Sequence, residues 1–269
     1  MPILWLRVAL GFYGIGLLCA LFALMRRGIL PRFALPAMSV GMTFQFVSLI
    51  EAVIPDGSNA LTSIHNAESL LALLVMAAFM IVYFSYRTTS PGIIIFPLVF
   101  VLTFAAASHQ HPFVFTSPVL GGWLVAHIAL IFAGYAALFL SFTASLLYLI
   151  QERRLKSKKP GGAMSRLPAL QQIDEIGYRS LLFGFPFMTL GLIAGMVVAQ
   201  GTYGHLDFLD PKISLSILMW AVYMLMLYTR WNAGWRGRRA AYLAAGAFLT
   251  ALVAWSANYF SAIHRVVQS

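Results

Sequence analysis

The chain has 269 residues, of which 61% are hydrophobic and only 10% are charged, and its mean hydropathy is +0.84. Soluble domains are about half apolar and about a quarter charged, so this composition excludes an ordinary water-soluble protein and predicts one that lies in a membrane. The formal net charge of +10 would suggest a nucleic-acid partner in a soluble protein, whereas in a membrane protein such an excess usually lies in cytoplasmic loops.

Eight segments are long and apolar enough to cross a bilayer, which takes about 20 residues within a range of roughly 17–25. In chain order they are residues 3–24, 34–54, 66–86, 92–108, 120–150, 180–200, 213–229 and 240–262. The fourth is short, and the fifth is long enough to continue past the bilayer as a helix. The first lacks a basic leader and a small-residue cleavage site, so we expect a retained span rather than a cleaved signal. No internal repeat or low-complexity tract is visible, so we predict an all-α polytopic membrane protein with a single transmembrane domain over residues 1–269.

Lysine and arginine are distributed unevenly among the loops. Fifteen of the 18 basic residues lie in the loops after the first, third, fifth and seventh spans, and the opposite side holds only Arg7, Lys212 and Arg265. Because loops rich in lysine and arginine stay in the cytoplasm, we predict that the basic loops are cytoplasmic and that both termini are outside. Topology then explains the net charge, and we expect no nucleic-acid partner.

The segment 167–179, "LPALQQIDEIGYR", has apolar residues three apart at Leu167, Leu170, Ile173 and Ile176. This spacing fits a short amphipathic helix lying on the inner membrane surface. It fits equally well a helical lead-in to the sixth span.

All six histidines map to the outer half of this topology. His127 lies within the fifth span, about 10 Å below the outer surface at 1.5 Å per residue. An ionisable group inside a membrane is costly and usually faces a bundle interior or a cavity. His127 is therefore either a buried imidazole satisfied by a neighbouring serine or threonine, or a ligand. The others lie at the ends of spans or in loops: His65, His109, His111, His205 and His264.

The histidine pattern excludes some kinds of site. There is no H-E-x-x-H motif or carboxylate triad, so a zinc hydrolase is not supported. Two histidines from different helices in a setting with 21 Phe, 11 Tyr and 6 Trp suit haem, since axial imidazoles bind its iron and apolar walls hold the porphyrin. Aromatic residues are also common at membrane interfaces, so spacing alone leaves haem as one possibility.

Several stretches resemble the CcsA/ResC-type cytochrome c assembly family. They are "HIALIFAGYAALFLSFTASLLYLIQERRLK" (127–156), "LPALQQIDEIGYRSLLFGFPFMTLGLIAG" (167–195), residues 210–260, and "HNAESLLALL" (65–74), which is similar to an early helix of the family. The resemblance implies a polytopic protein that brings haem to the outer face of the membrane for attachment to apocytochromes c.

The family carries paired outer-side histidines on two helices that flank a tryptophan-rich loop, where they are axial ligands to haem. Residue by residue, the resemblance places these ligands at His127 and His264, with haem b as the implied cofactor.

The loop itself departs from the family pattern W-G-x-x-W-x-W-D-P, because it reads "YGHLDFLDPK". Tyr203, Asp207 and Leu209 stand at the tryptophan positions, so the flat indole faces on which a porphyrin would lie are missing. Further candidates for cofactor binding in and after the loop are His205, Asp210 and Trp220.

Such a loop is typical of the HemX-like branch of the family, which is associated with haem biosynthesis or its regulation. We predict a protein of the bacterial cytoplasmic (inner) membrane that handles or presents haem at the outer face, as an accessory to cytochrome c haem lyase rather than an enzyme. The expected partners are haem, membrane lipids, and either a second cytochrome c assembly membrane subunit or a haem-biosynthesis enzyme. The alternative is a HemX-like regulator that acts through its cytoplasmic loop 151–179 without stable haem binding. A small-solute transporter ranks below both, because no pair of broken helices occupies matching positions.

Overall fold

The computed structural model describes residues 2–25, 31–56, 64–108, 118–157, 168–204, 208 and 210–256. Within these residues the chain forms helices and no strands, which confirms the all-α prediction. The helices are α1 (Pro2–Met25), α2 (Pro31–Asp56), α3 (Ile64–Tyr86), α4 (Gly92–Ser108), α5 (Pro118–Ser157), α6 (Leu170–Tyr203), α7 (Pro211–Trp231) and α8 (Arg238–Ser256).

Six of these described helices are long and apolar enough to cross a membrane, namely α1, α2, α3, α5, α6 and α7. Helix α4 is apolar but has only 17 residues. Helix α8 begins with Arg238 and Arg239, which lower the hydropathy of its described part. The chain is thus a polytopic membrane protein, while spans through α4 and α8 and the outward termini stay predictions.

The helices group into two compact units. Unit 1 comprises Met1–Val114 and Gln151–Ala169, and unit 2 comprises Phe115–Ile150 and Leu170–Ser269. In unit 1, α1 packs on α2 and α4, and α3 packs on α4 and α2. In unit 2, α7 packs on α6 and α8, and α5 lies against α6. The single domain over residues 1–269 stays a prediction.

The fifth and sixth helices are longer than their apolar segments. Helix α5 has 40 residues, which is about 60 Å, or about twice the hydrocarbon thickness of a bilayer. Helix α6 continues unbroken from Leu170 to Tyr203. Ile173 and Ile176 are each 2% exposed inside unit 2, so their apolar face packs on protein. The structure therefore favours the helical lead-in for this segment over a helix on the membrane surface.

A buried polar network joins all four helices of unit 1. Gln45 on α2 accepts a 2.6 Å hydrogen bond from the phenol of Tyr13 on α1. Its amide nitrogen donates to the carbonyl oxygen of Ser69 on α3 at 3.0 Å and to the hydroxyl of Thr103 on α4 at 3.4 Å. All four residues are buried. One side chain thus satisfies polar groups from every helix of the unit.

Replacing Gln45 with leucine is expected to lower the free energy of unfolding by about 1–2 kcal/mol, because hydrogen bonds between membrane helices are worth about 1 kcal/mol each. Unfolding of the detergent-solubilised variant measures this. Thr43→Val is the matched control, since Thr43 is exposed on the same helix and, within the part of the chain that the structure describes, bonds only to the nearby Val40 carbonyl. Equal stability of the two variants would show that the network contributes nothing.

Candidate functional site

Helices α5 and α6 approach each other closely along a row of glycines. This glycine row consists of Gly177, Gly184, Gly191 and Gly195 on α6. A Cβ atom added at Gly184 would lie 2.7 Å from the Cβ of Ala137, and one added at Gly191 would lie 2.9 Å from Cδ1 of Ile131. Small residues, glycine above all, allow two helices to approach this closely.

The close approach brings His127 of α5 onto the backbone of α6. Its Nδ1 lies 2.7 Å from the carbonyl oxygen of Gly191. A carbonyl can only accept a hydrogen bond, so Nδ1 carries the proton and the lone pair of the neutral ring is on Nε2. The partner of Nδ1 is thus a backbone carbonyl of α6.

The imidazole also lies directly against Gly195. A Cβ atom at Gly195 would be 2.6 Å from Cε1 of His127, 2.7 Å from Nδ1 and 3.5 Å from Nε2. The edge formed by Cε1 and Nδ1 therefore faces α6, and Nε2 is the ring nitrogen farther from it. The side chain is half-buried.

This arrangement fits an axial ligand to haem. Metal-binding histidines usually donate their other ring N–H to a carbonyl or carboxylate, which fixes the tautomer and raises the basicity of the ligating nitrogen. His127 makes this hydrogen bond, so Nε2 carries the lone pair with which an imidazole binds haem iron. Among the residues that the structure describes, no cluster of three or more His, Cys, Asp or Glu could hold a metal ion.

Trp220 lies against the same stretch of α6 but on another side. Its indole N–H donates to the hydroxyl of Thr189 at 3.0 Å, and its ring centroid is 6.0 Å from that of Phe185. Residues two apart on a helix do not share a face, so Thr189 and Gly191 point to different sides of α6. Trp220 packs α7 onto α6, and its contact with a cofactor stays a prediction.

Asp210 is buried and precedes α7. Its carbonyl accepts hydrogen bonds from the backbone N–H of Ser214 at 3.0 Å and from the Ser214 hydroxyl at 3.1 Å. Aspartate before a helix and proline at its first position, as in Asp210–Pro211, is a favoured way to begin one. Asp210 thus begins α7, and its contact with a cofactor stays a prediction.

The other two predicted site residues, His205 and His264, lie outside the described residues. Their roles, and the convergence of His264 with His127, therefore stay predictions.

A second polar cluster lies in unit 2 at the end predicted to be cytoplasmic. Arg230 of α7 forms a bidentate ion pair with Asp174 of α6, with N–O distances of 2.6 and 2.9 Å. Asp174 also accepts a 3.0 Å hydrogen bond from the backbone N–H of Gly237, and the guanidinium lies 4.7 Å above the ring centre of Tyr178. The pair joins α6, α7 and the turn before α8.

An open pocket of about 450 Å³, including the solvent space at its mouth, lies beside this pair between α5, α6, α7 and α8. Among the described residues that line it, Asp174 and Arg230 are the only charged ones. Because they neutralise each other, the pocket offers no net charge to hold an ion.

Sequence reasoning identified His127 but missed the residues that hold it. A signal was present, because "GLIAG" (191–195) places glycines four apart in an apolar span, a pattern that brings membrane helices together. No comparable signal paired Asp174 with Arg230, which are 56 positions apart.

Comparison with known proteins gives a consistent result. The sequence profile of the family described as "Cytochrome C assembly protein" matches residues 7–264. The chain is 28% identical over 210 residues to "Cytochrome c biogenesis protein CcsA" of Guillardia theta, which covers 70% of each chain. It is 26% identical over 231 residues, or 72% of each chain, to the protein of the same name from Heterosigma akashiwo (strain NIES-293 / 8280G21-1). It is 33% identical over 143 residues to the protein of the same name from Synechococcus sp. (strain CC9902). This alignment covers 45% of this chain and 47% of the relative. No solved structure matches the chain.

Proposed function

The chain belongs to the cytochrome c assembly protein family, and on this premise we propose that it binds haem and presents it at the outer face of the membrane during cytochrome c biogenesis. In this proposal Nε2 of His127 would bind the haem iron. The supporting observation is the 2.7 Å hydrogen bond between Nδ1 of His127 and the Gly191 carbonyl, because it holds the imidazole in the tautomer that binds a metal through Nε2.

On the basis of the family resemblance, His264 would be the second residue to bind the iron, and the haem would be haem b held without covalent bonds. When bound, haem would supply an iron that accepts two imidazoles. Its apolar ring would move from water into the protein interior. The chain's own residues would bind and orient it: His127 would ligate the iron, and the Gly191 carbonyl holds the ring of His127 in position.

The absence of the family's tryptophans limits the role that we propose for this chain. Tyr203, Asp207 and Leu209 stand where the family pattern has indole rings, and an aspartate disfavours a haem propionate. We therefore assign the chain the role of carrier or presenter, and propose that a second cytochrome c assembly membrane subunit completes the attachment site. The proposed location is the bacterial cytoplasmic membrane.

The same loop favours a second candidate function, that of a HemX-like regulator of haem biosynthesis. In that case the cytoplasmic loop 151–179 engages a haem-biosynthesis enzyme and the chain holds no stable haem.

The absorption spectrum of the detergent-purified wild-type protein tests the proposal, with haem quantified as its pyridine haemochrome. We expect a Soret band, sharp α and β bands on reduction, and stoichiometric haem. A host that lacks the chain should in addition accumulate apocytochrome c, and the restored wild-type gene is the control. Protein that is purified without haem and takes up no added haemin would contradict the proposal and favour the regulator.

A further inference from the structure

We infer that Gly191 and Gly195 are positioning residues for the haem ligand: Gly191 orients the imidazole of His127 through its carbonyl, and Gly195 provides the space in which the ring lies. This inference rests on the proposed function, since it assigns both glycines a role in ligation by His127.

Access to the Gly191 carbonyl depends on the residue one helical turn further on. In an α-helix the carbonyl of residue 191 is directed towards residue 195, one turn further on, and accepts the hydrogen bond of that residue's N–H. A carbonyl oxygen has a second lone pair, which here receives Nδ1–H of His127 at 2.7 Å. A Cβ atom at position 195 would lie 2.7 Å from Nδ1, so the ring reaches this lone pair in its present position only with glycine there.

The imidazole of His127 also occupies the space that Gly195 leaves open. Because a Cβ atom at position 195 would come within 2.6 Å of Cε1 and 2.7 Å of Nδ1, any side chain there must displace the imidazole. With glycine, the Cε1–Nδ1 edge rests on α6 and Nε2 is the nitrogen directed away from it. The two glycines together select Nε2 rather than Nδ1 as the ligating atom.

The first test measures haem affinity of the full chain by titration with haemin. Gly195→Ala is expected to weaken binding by about 10–100-fold, the usual effect of losing a partner that orients a metal ligand, and to shift the Soret band. Gly177→Ala is the matched control. It lies in the same glycine row, but its Cβ would lie 3.5 Å from the Cβ of Ala144, an ordinary contact, so its affinity should equal that of the wild type.

The second test uses the haem-free protein and does not depend on ligation. Thermal unfolding in detergent is measured for Gly195→Ala, His127→Ala and the double variant, because such a cycle isolates the contact between the two positions. Gly195→Ala is expected to lower the unfolding midpoint in the wild-type background and to have little effect once His127 is alanine. If Gly195→Ala does not fold but the double variant does, the contact is equally supported.

The outcomes separate this inference from the proposed function. A wild-type protein that binds no haem would contradict both the positioning role and the proposed function. Wild type that binds haem through His127, together with a Gly195→Ala variant that matches Gly177→Ala in affinity, overturns the positioning role alone. An equal loss of stability from Gly195→Ala in both backgrounds likewise overturns it.

Discussion

Replacing His127 with alanine is expected to weaken haem binding by more than about 100-fold, because even the partners that orient a ligand contribute 10–100-fold. The substitution removes the ligating nitrogen and leaves the Gly191 carbonyl, which cannot bind iron in its place. The measurement is a haemin titration of the haem-free protein, followed at the Soret band. His127→Gly should regain the spectrum when imidazole is added, since the substitution leaves an imidazole-sized space against Gly195.

Ser145→Ala is the control for this prediction. Ser145 is on the same helix, and the one partner of its hydroxyl among the described residues is the carbonyl of Ser141 one turn away. Its haem affinity should match that of the wild type. Undiminished haem binding by His127→Ala would remove His127 from the site, and His264→Ala then shows whether the second predicted ligand acts without it.

Replacing Arg230 with methionine is expected to lower the free energy of unfolding by about 3 kcal/mol. The Arg230 and Asp174 side chains are only 10% and 19% exposed, so removal of the guanidinium leaves a poorly solvated carboxylate without its cation. A fully buried pair would lose up to about 5 kcal/mol, and the partial exposure here lowers the cost. Unfolding of the detergent-solubilised variant by heat or denaturant measures the loss.

Two controls accompany this prediction. The double variant Asp174→Asn with Arg230→Met should recover most of the stability, because no unpaired charge remains. Lys156→Ala breaks the 2.7 Å pair with Glu152, whose lysine is 66% exposed, and should cost less than about 0.5 kcal/mol. If Arg230→Met costs no more than Lys156→Ala, the pair between α6 and α7 does not stabilise the fold.

Apolar length predicted the membrane helices well. The fourth span was predicted at 92–108, where α4 lies, and the seventh at 213–229, within α7. Helices α5 and α6 extend beyond the fifth and sixth predicted spans, because hydropathy follows the membrane and not the helix. The continuation of the fifth span as a helix was expected, and a helical lead-in to the sixth was one of the two alternatives. Helix α5 continues through the polar run 151–157, and α6 begins ten residues before its apolar segment, where Asp174 pairs with Arg230.

The candidate site was only partly predictable for a related reason. A histidine within an apolar span can be recognised in the sequence, and His127 was predicted in this way. Its partner is a backbone carbonyl 64 positions away, and a carbonyl is present at every residue. Only the packing of α5 on α6 selects Gly191 among them.

The spacing of the glycine row has a consequence for movement. Gly177, Gly184 and Gly191 recur every seven residues, and Ala137 and Ala144, which face two of them, share that interval. A seven-residue repeat keeps one face in contact when two helices wind around each other in a left-handed supercoil. The next register that again sets small residues opposite each other is about 10.5 Å away, a third of the hydrocarbon thickness. A smaller shift would move Ala137 and Ala144 off the glycines that they face, so this packing holds the imidazole at one depth in the bilayer.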